Sequence, residues 1–220
     1  MSSDKVYLAW IHTGIVHEPF ARSIAEICLW KPNQIAGITT AGGPRQEAQR
    51  NAAIAAFLKT EGNWLMWIDT DMVLEKDTVE RLLATAHATD ADAVGTLGFI
   101  WDPTTGTIST NAYLWNEETK AYHPVINYER GSINEIDATG SGSVLIHRRM
   151  FEAWDHERWH ETWPVHYDSE GLMGHDLAFF HKMVREDGFK LIWDTSVHTG
   201  HIKSFELTEA NYDAYLAALE

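Results

Sequence analysis

The chain has 220 residues, 45% of them apolar and 22% charged, and a formal charge of −15 at pH 7. That length suits one domain with a sizeable core, and so negative a balance argues against a broad non-specific nucleic-acid surface, though not against a local basic groove or an anion held through a metal. No apolar run approaches a membrane span, the N-terminus lacks a secretory pattern and the single cysteine, Cys28, has no internal disulfide partner, so a cytoplasmic protein is expected.

In chain order, "KVYLAWIH" is a short run of strand formers, and "EPFARSIAEICLW" has helical spacing ended by Lys31-Pro32, with Cys28 inside it. "QIAGI" predicts a second strand. "GGPRQEAQRNAAIAAFLKTEG" predicts an Ala-rich helix with Pro44 in its first turn and Gly62 just past its end. "WLMWI" is a third strand running into "DTD", followed by "EKDTVERLLATAHA", which sets Val79, Leu82, Leu83 and Ala86 on one helical face. "ADAVGTLGF" closes this part as a fourth strand. Such alternation predicts a parallel α/β sheet through about residue 100.

From 101 to 138 the pattern changes to irregular structure and antiparallel strands. A Gly-Ser turn over Gly140–Ser143 follows, then an apolar strand "VLIH", a His/Trp-rich stretch, a helix "HDLAFFHKMVRE", a strand "KLIWD" and a closing helix "LTEANYDAYLAALE". No repeat or linker stands out, so one domain with two functional halves, 1–100 and 101–220, is expected.

Two carboxylates, Asp69 and Asp71, lie at the carboxyl end of an apolar strand, the edge of an open α/β sheet where ligands bind. In a continuing strand they would share a face, though a turn could alter this. Two hard oxygen donors on one short segment suit Mg²⁺ or Mn²⁺, which complete their shell with phosphate oxygens and water. The competing reading is that Asp69 and Thr70 only cap the next helix.

The segment "WLMWIDTDMVLEKDTVERLL" resembles the DxD region of GT-A fold glycosyltransferases, especially small family-2-type enzymes of bacteria and their phages. "YLAWIHTG", "EAQRNAAIAAFL", "ATGSGSVLIHRRMFEAW" and "GHDLAFFHKMVREDGFKLIWDTSVHTGH" resemble further pieces of that family in the expected order. The resemblance implies a GT-A domain, a Rossmann-like nucleotide-binding half with a mixed central sheet. It implies a nucleotide-sugar donor, UDP- or GDP-linked, and a Mn²⁺ or Mg²⁺ ion bridging its diphosphate. Asp71 would be a metal ligand, Asp69 would contact the metal or the ribose, and His201, a better match than His198, would be a further ligand that favours manganese. His12 and Thr13 would border the base, Arg50 and Asn51 would lie near the nucleotide, and Gly140, Ser141 and Gly142 would let donor or acceptor approach closely.

Asp176 matches the position where an inverting enzyme of this kind keeps its base, but His175 stands where a glutamate is usual. If Asp176 only caps its helix, a retaining reaction stays open. For Arg50 the plain alternative is an exposed helical arginine. The acceptor is open among a protein side chain, a glycan, a lipid-linked sugar and a modified DNA base, with Arg148, Arg149, Lys182 and Arg185 as a candidate local basic edge for the last. A host-cytoplasmic location is expected if a phage encodes the chain.

Two rival readings remain. "HERWHETWPVH" places His156, Glu157 and His160 at the HExxH spacing of a zinc hydrolase, with His166 as third ligand. Trp163 takes the place of the glycine that breaks the helix in the extended pattern, and the α/β half would have no task in such an enzyme. The stretch is therefore assigned to an acceptor-side loop, where Trp159 and Trp163 could stack on the acceptor. The other rival is a carbohydrate-binding relative that keeps the fold without turnover.

Overall fold

The computed structural model describes residues 4–12, 14–43, 46–102, 106–153, 167–168, 171–172 and 174–203. The expected closing helix, Pro44, Thr13 and the whole "HERWHETWPVH" stretch lie outside these residues.

The first half alternates as the apolar pattern requires: β1 (Val6–His12), α1 (Glu18–Trp30), β2 (Ile35–Gly42), α2 (Gln46–Leu58), β3 (Trp64–Ile68), β4 (Met72–Leu74), α3 (Thr78–Thr89) and β5 (Ala93–Leu97). Short strands follow: β6 (Phe99–Trp101), β7 (Ile108–Thr110), β8 (Ala112–Asn116), β9 (Ala121–Pro124), β10 (Ile133–Glu135) and β11 (Ala138–Thr139). The remainder is β12 (Ser143–His147), α4 (Arg148–Glu152), β13 (Tyr167–Asp168), β14 (Gly171–Leu172), α5 (His175–Phe180) and β15 (Leu191–His201). No helix among the described residues is long and apolar enough to cross a membrane.

The central sheet runs β10-β15-β5-β12-β3-β1-β2, with β4 paired to β15. β2, β1 and β3 are parallel, and β15 is parallel to β5. β12 enters antiparallel between β3 and β5, so the sheet is mixed. The fold is thus mixed α/β with a mixed central sheet, as the resemblance to GT-A enzymes implied. Helices cover both faces, which is why β3 and β5 are buried at every residue and read as unbroken apolar runs. Along β3 the side chains alternate: Leu65 and Trp67 join the core under α2, while Trp64, Met66 and Ile68 join the core under α1 and α3.

Three boundaries differ from expectation, each for a physical reason. "QIAGI" continues to Gly42 because β2 follows β1 in register to its end. "HDLAFFHKMVRE" is not one regular helix, since α5 passes into a π turn over His181–Glu186 that closes on Gly188 at φ +76°. "KLIWD" extends to His201: a register shift after Asp194 lets the strand leave β5 and pair with β4, setting His201 opposite Met72. Buried Asp194 holds this kink together, accepting from Thr85 Oγ1 at 2.5 Å and from Ser196 N and Oγ at 2.9 and 2.6 Å.

Candidate functional site

The DTD segment does not cap the following helix. Met72 N donates to Asp69 O at 3.0 Å, a tight turn that delivers the chain into β4, and α3 begins only at Thr78. The turn also sends its two carboxylates apart. Asp69 Oδ1 receives Arg50 Nη2 at 3.1 Å, whereas Asp71 Oδ2 lies 3.0 Å from His201 Nε2 and 3.2 Å from Lys203 Nζ.

Arg50 is not an exposed helical arginine. It is 2% exposed, on the stripe of α2 that also buries Ala53, Ile54 and Phe57. Its guanidinium stacks 4.7 Å from the Trp67 ring, and Nη2 is 3.7 Å from Asp176 Oδ1. Nε donates to His175 Nε2 at 3.2 Å. One buried cation therefore ties the DTD turn to the start of α5. Asn51, the next residue, buries its Oδ1 without a hydrogen-bond partner among the described residues.

Asp176 does not cap α5 either, because Gly174 occupies that position and gives no side-chain cap. Its Oδ2 accepts from Ser141 N at 3.1 Å, and His175 Nε2 is 2.9 Å from Oδ1. The Gly140–Gly142 turn thus grips both acids, since Gly142 O also accepts from Asp69 N at 2.8 Å. A methyl at Gly142 would come within 2.6 Å of Met72 Cε, the end of a flexible side chain, which shows how closely the turn lies against the segment after the DTD.

The protonation equilibria follow from these contacts. Burial works to raise Asp176, but the Arg50 charge, His175 and the Ser141 N–H together hold its carboxyl well below the usual carboxylate range. Burial also acts on Asp69 and prevails there, because Arg50 is its main counterweight, so its carboxyl is pushed up. For Asp71 burial is outweighed by the hydrogen bond and charge of His201, and then by Lys203, which bring it down to about 2.

His201 is oriented from behind. Its Nδ1 is 2.8 Å from Phe99 O, and a carbonyl can only accept, so Nδ1 carries the hydrogen and Nε2 is turned to Asp71. The ring nitrogen and the carboxylate oxygen, 3.0 Å apart, could hold a metal ion between them. One carboxylate and one imidazole fit Mn²⁺. Among the described residues no group of three or more His, Cys, Asp or Glu is gathered for a metal. His198 is excluded from this pair, its Nε2 resting 3.0 Å from Thr195 O in the β15 kink.

Two cavities meet at the DTD turn. One, of about 370 Å³, is bounded by His12, Ile15, His17, Gln49 and Arg50 together with Asp69, Thr70 and Asp71. The other, of about 240 Å³, holds Asp69, Asp71, Asp176, His201, Lys203 and the two glycines of the turn. Its floor is a polar set that the sequence reading missed: Thr96, Asn111, Ser143 and Thr199. Thr199 Oγ1 donates to Thr96 Oγ1 at 2.6 Å, and Asn111 Nδ2 to Thr96 O at 3.0 Å. A threonine inside the otherwise apolar run of β5 was the available signal. Lys203 was missed as well, with no motif around it beyond its nearness to His201.

Three of the four residues of the candidate basic edge make pairs within the chain. Arg148 donates to the carbonyls of Thr60 and Leu58 at 2.8 and 2.6 Å, at the end of α2, and Arg149 pairs with Asp92. Arg185 meets Glu117 and lies 3.7 Å from Asp137.

No curated protein sequence matches the chain closely enough to count as a relative. Among solved structures, A197 from STIV superposes with a TM-score of 0.60 at 16% identity, over 91% of this chain and 86% of its own. GalNAc-T7, in a structure with UDP, GalNAc and Mn²⁺, superposes with a TM-score of 0.62 at 12% identity, over 93% of this chain but only 45% of its own. At such identities the likeness concerns the fold. The model of glycosyl transferase family 2 matches residues 21–153, more than half of the chain, and the chain therefore belongs to that family.

Proposed function

We propose that the chain transfers a sugar from a nucleotide-sugar donor to an acceptor hydroxyl or amine, with a divalent cation held by Asp71 and His201. The observation that carries this reading is the Asp71–His201 pair, 3.0 Å apart and oriented from behind by Phe99 O, at the meeting of two cavities. The cavity beside His12, Gln49 and Arg50 would take the nucleoside, and the one beside Asp176 the sugar and the attacking group. GalNAc-T7, whose fold the chain resembles, is known in complex with UDP and Mn²⁺, in keeping with this assignment.

Bound there, a divalent ion would offset the charge that grows on the departing diphosphate. Arg50 keeps Asp69 and Asp176 in fixed positions, so that the acids lie where the donor and acceptor must pass. Asp176, which its contacts hold as a carboxylate, accepts a hydrogen bond from the acceptor and orients it as the new glycosidic bond forms and the bond to the diphosphate breaks, with the acceptor's proton released to water.

The test is a thermal-shift and transfer assay over UDP- and GDP-linked sugars, with and without Mn²⁺. A donor should stabilise the wild type only with Mn²⁺, and Asp71→Ala should lose the effect. Equal donor binding by Asp71→Ala, or no donor bound by a folded wild type, would overturn the proposal.

A further inference from the structure

The oxygen of Asp71 that faces His201 is already in use. Lys203, two residues beyond His201, sets its ammonium 3.2 Å from Asp71 Oδ2, on the oxygen that His201 Nε2 approaches at 3.0 Å. A divalent ion coordinated by that oxygen would stand at about 2.1 Å from it, within a few ångströms of a like charge. Sharing one oxygen, metal and ammonium repel each other, so each weakens the other's hold on it.

We infer that Lys203 is a built-in competitor for the cation site, which yields Asp71 to the metal and then pairs with the donor's diphosphate. This rests on reading Asp71 and His201 as the cation's ligands. Charge explains why such a residue would make the two ligands depend on each other. Arg50 is committed to Asp69 and Asp176, so Lys203 is the cation facing Asp71 among the described residues. While no donor is bound, the ammonium satisfies Asp71 and weakens the site's hold on a free divalent ion. When metal and nucleoside diphosphate arrive together, the displaced ammonium gains a phosphate partner at little cost, because at 38% exposure its chain is free to swing. Metal and diphosphate should then bind with positive coupling, and each should raise the other's affinity by the same factor.

Removing the ammonium must therefore move two affinities in opposite directions. Mn²⁺ alone, titrated by the loss of its free-ion electron paramagnetic resonance signal, should bind Lys203→Met about three- to tenfold more tightly than wild type, after allowance for solvent screening. In saturating Mn²⁺, UDP or GDP should bind the same variant more weakly by a similar factor. Lys203→Arg should stay near wild type in both titrations, and circular dichroism checks that each variant is folded. Unchanged or weaker Mn²⁺ binding by folded Lys203→Met would overturn the inference, even if nucleotide binding fell, since Lys203 would then be a plain phosphate ligand. Asp71→Asn, titrated with Mn²⁺ alone, separates the two layers. If Asp71→Asn binds Mn²⁺ as wild type does, the cation site itself is misplaced; if it loses Mn²⁺ while Lys203→Met changes nothing, only the competitor role falls.

Discussion

Replacing Arg50 with methionine should be the most damaging single change in the described structure that touches no core hydrocarbon. The arginine is 2% exposed and lies 3.1 Å from Asp69 and 3.7 Å from Asp176. Methionine preserves volume and a contact with the Trp67 ring, so the loss isolates the charge. Removing one partner of a buried ion pair costs about 3–5 kcal/mol, because it leaves uncompensated charge behind. For a chain of this length each kcal/mol lowers Tm by about 2–4 °C, giving a fall of about 6–20 °C. Equilibrium urea unfolding at neutral pH measures the loss directly, provided the m-value is unchanged.

Two further signatures separate electrostatics from lost packing. With the cation gone, the two carboxylates would sit above their unfolded-state pKa, so the folded state would bind protons more readily and Arg50→Met should gain stability as pH falls below neutrality. Adding Asp176→Asn should relieve part of the damage, with a coupling of about 0.5–3 kcal/mol. A loss below about 1 kcal/mol, or full additivity of the two substitutions, would refute the account of Arg50 as the site's central counter-ion.

Other expectations test neighbouring links. His147 is half-buried and accepts from Arg149 N through Nδ1 at 3.1 Å; burial first, then the nearby Arg149, push its pKa below the ordinary value of 6.5. The unfolded chain therefore takes up this proton first, so stability should be full above about pH 6.5 and decline as pH falls, and His147→Gln should flatten that slope in unfolding curves from pH 7.5 to 5. Arg148→Ala strips two charged hydrogen bonds from the end of α2 and should cost about 2–3 kcal/mol in urea unfolding, whereas Arg22→Ala, at an exposed i,i+4 pair, should cost under about 0.5. Thr85→Val leaves the buried Asp194 without the hydroxyl at 2.5 Å and should cost about 1.5–3 kcal/mol. A nucleoside diphosphate at about 100 times its Kd with Mn²⁺ should add about 2.7 kcal/mol, and EDTA should abolish that gain.

Most of the first hundred residues were legible, β4 and the break between β5 and β6 excepted, because their elements bury one face or both, and burial writes its period into the sequence. Val79, Leu82, Leu83 and Ala86 mark α3 on spacing alone, and all four are buried. Asp69 and Asp71 were legible as a pair, but not their divergence, which depends on the Met72-to-Asp69 hydrogen bond of a turn with no glycine or proline to announce it. Arg50 misled in the opposite direction. It lies three, four and seven residues before Ala53, Ile54 and Phe57, on the core-facing stripe, and the periodicity placed it inside while its charge suggested outside. A buried arginine needs carboxylates that sequence cannot position, since Asp69 and Asp176 come from elements 19 and 126 residues away along the numbered chain.

The meeting of Asp71 and His201 has the same long-range character and a traceable cause. β15 begins as a neighbour of β5 and would carry its last residues away from the DTD turn if it ran straight. The shift after Asp194, stabilised by Thr85 and Ser196, frees its final segment to pair with β4, and β4 exists because the DTD turn redirects the chain. Ile202 N then closes on Asp71 O at 2.8 Å, a backbone bond that fixes the distance between the two candidate ligands. The site therefore depends on a kink whose anchoring aspartate never touches it. If this is right, Thr85→Val should weaken Mn²⁺ binding as well as stability, although Thr85 lies in α3 and lines neither cavity. Mn²⁺ affinity unchanged in a folded but destabilised Thr85→Val protein would show that the β4–β15 pairing holds the site without help from the kink.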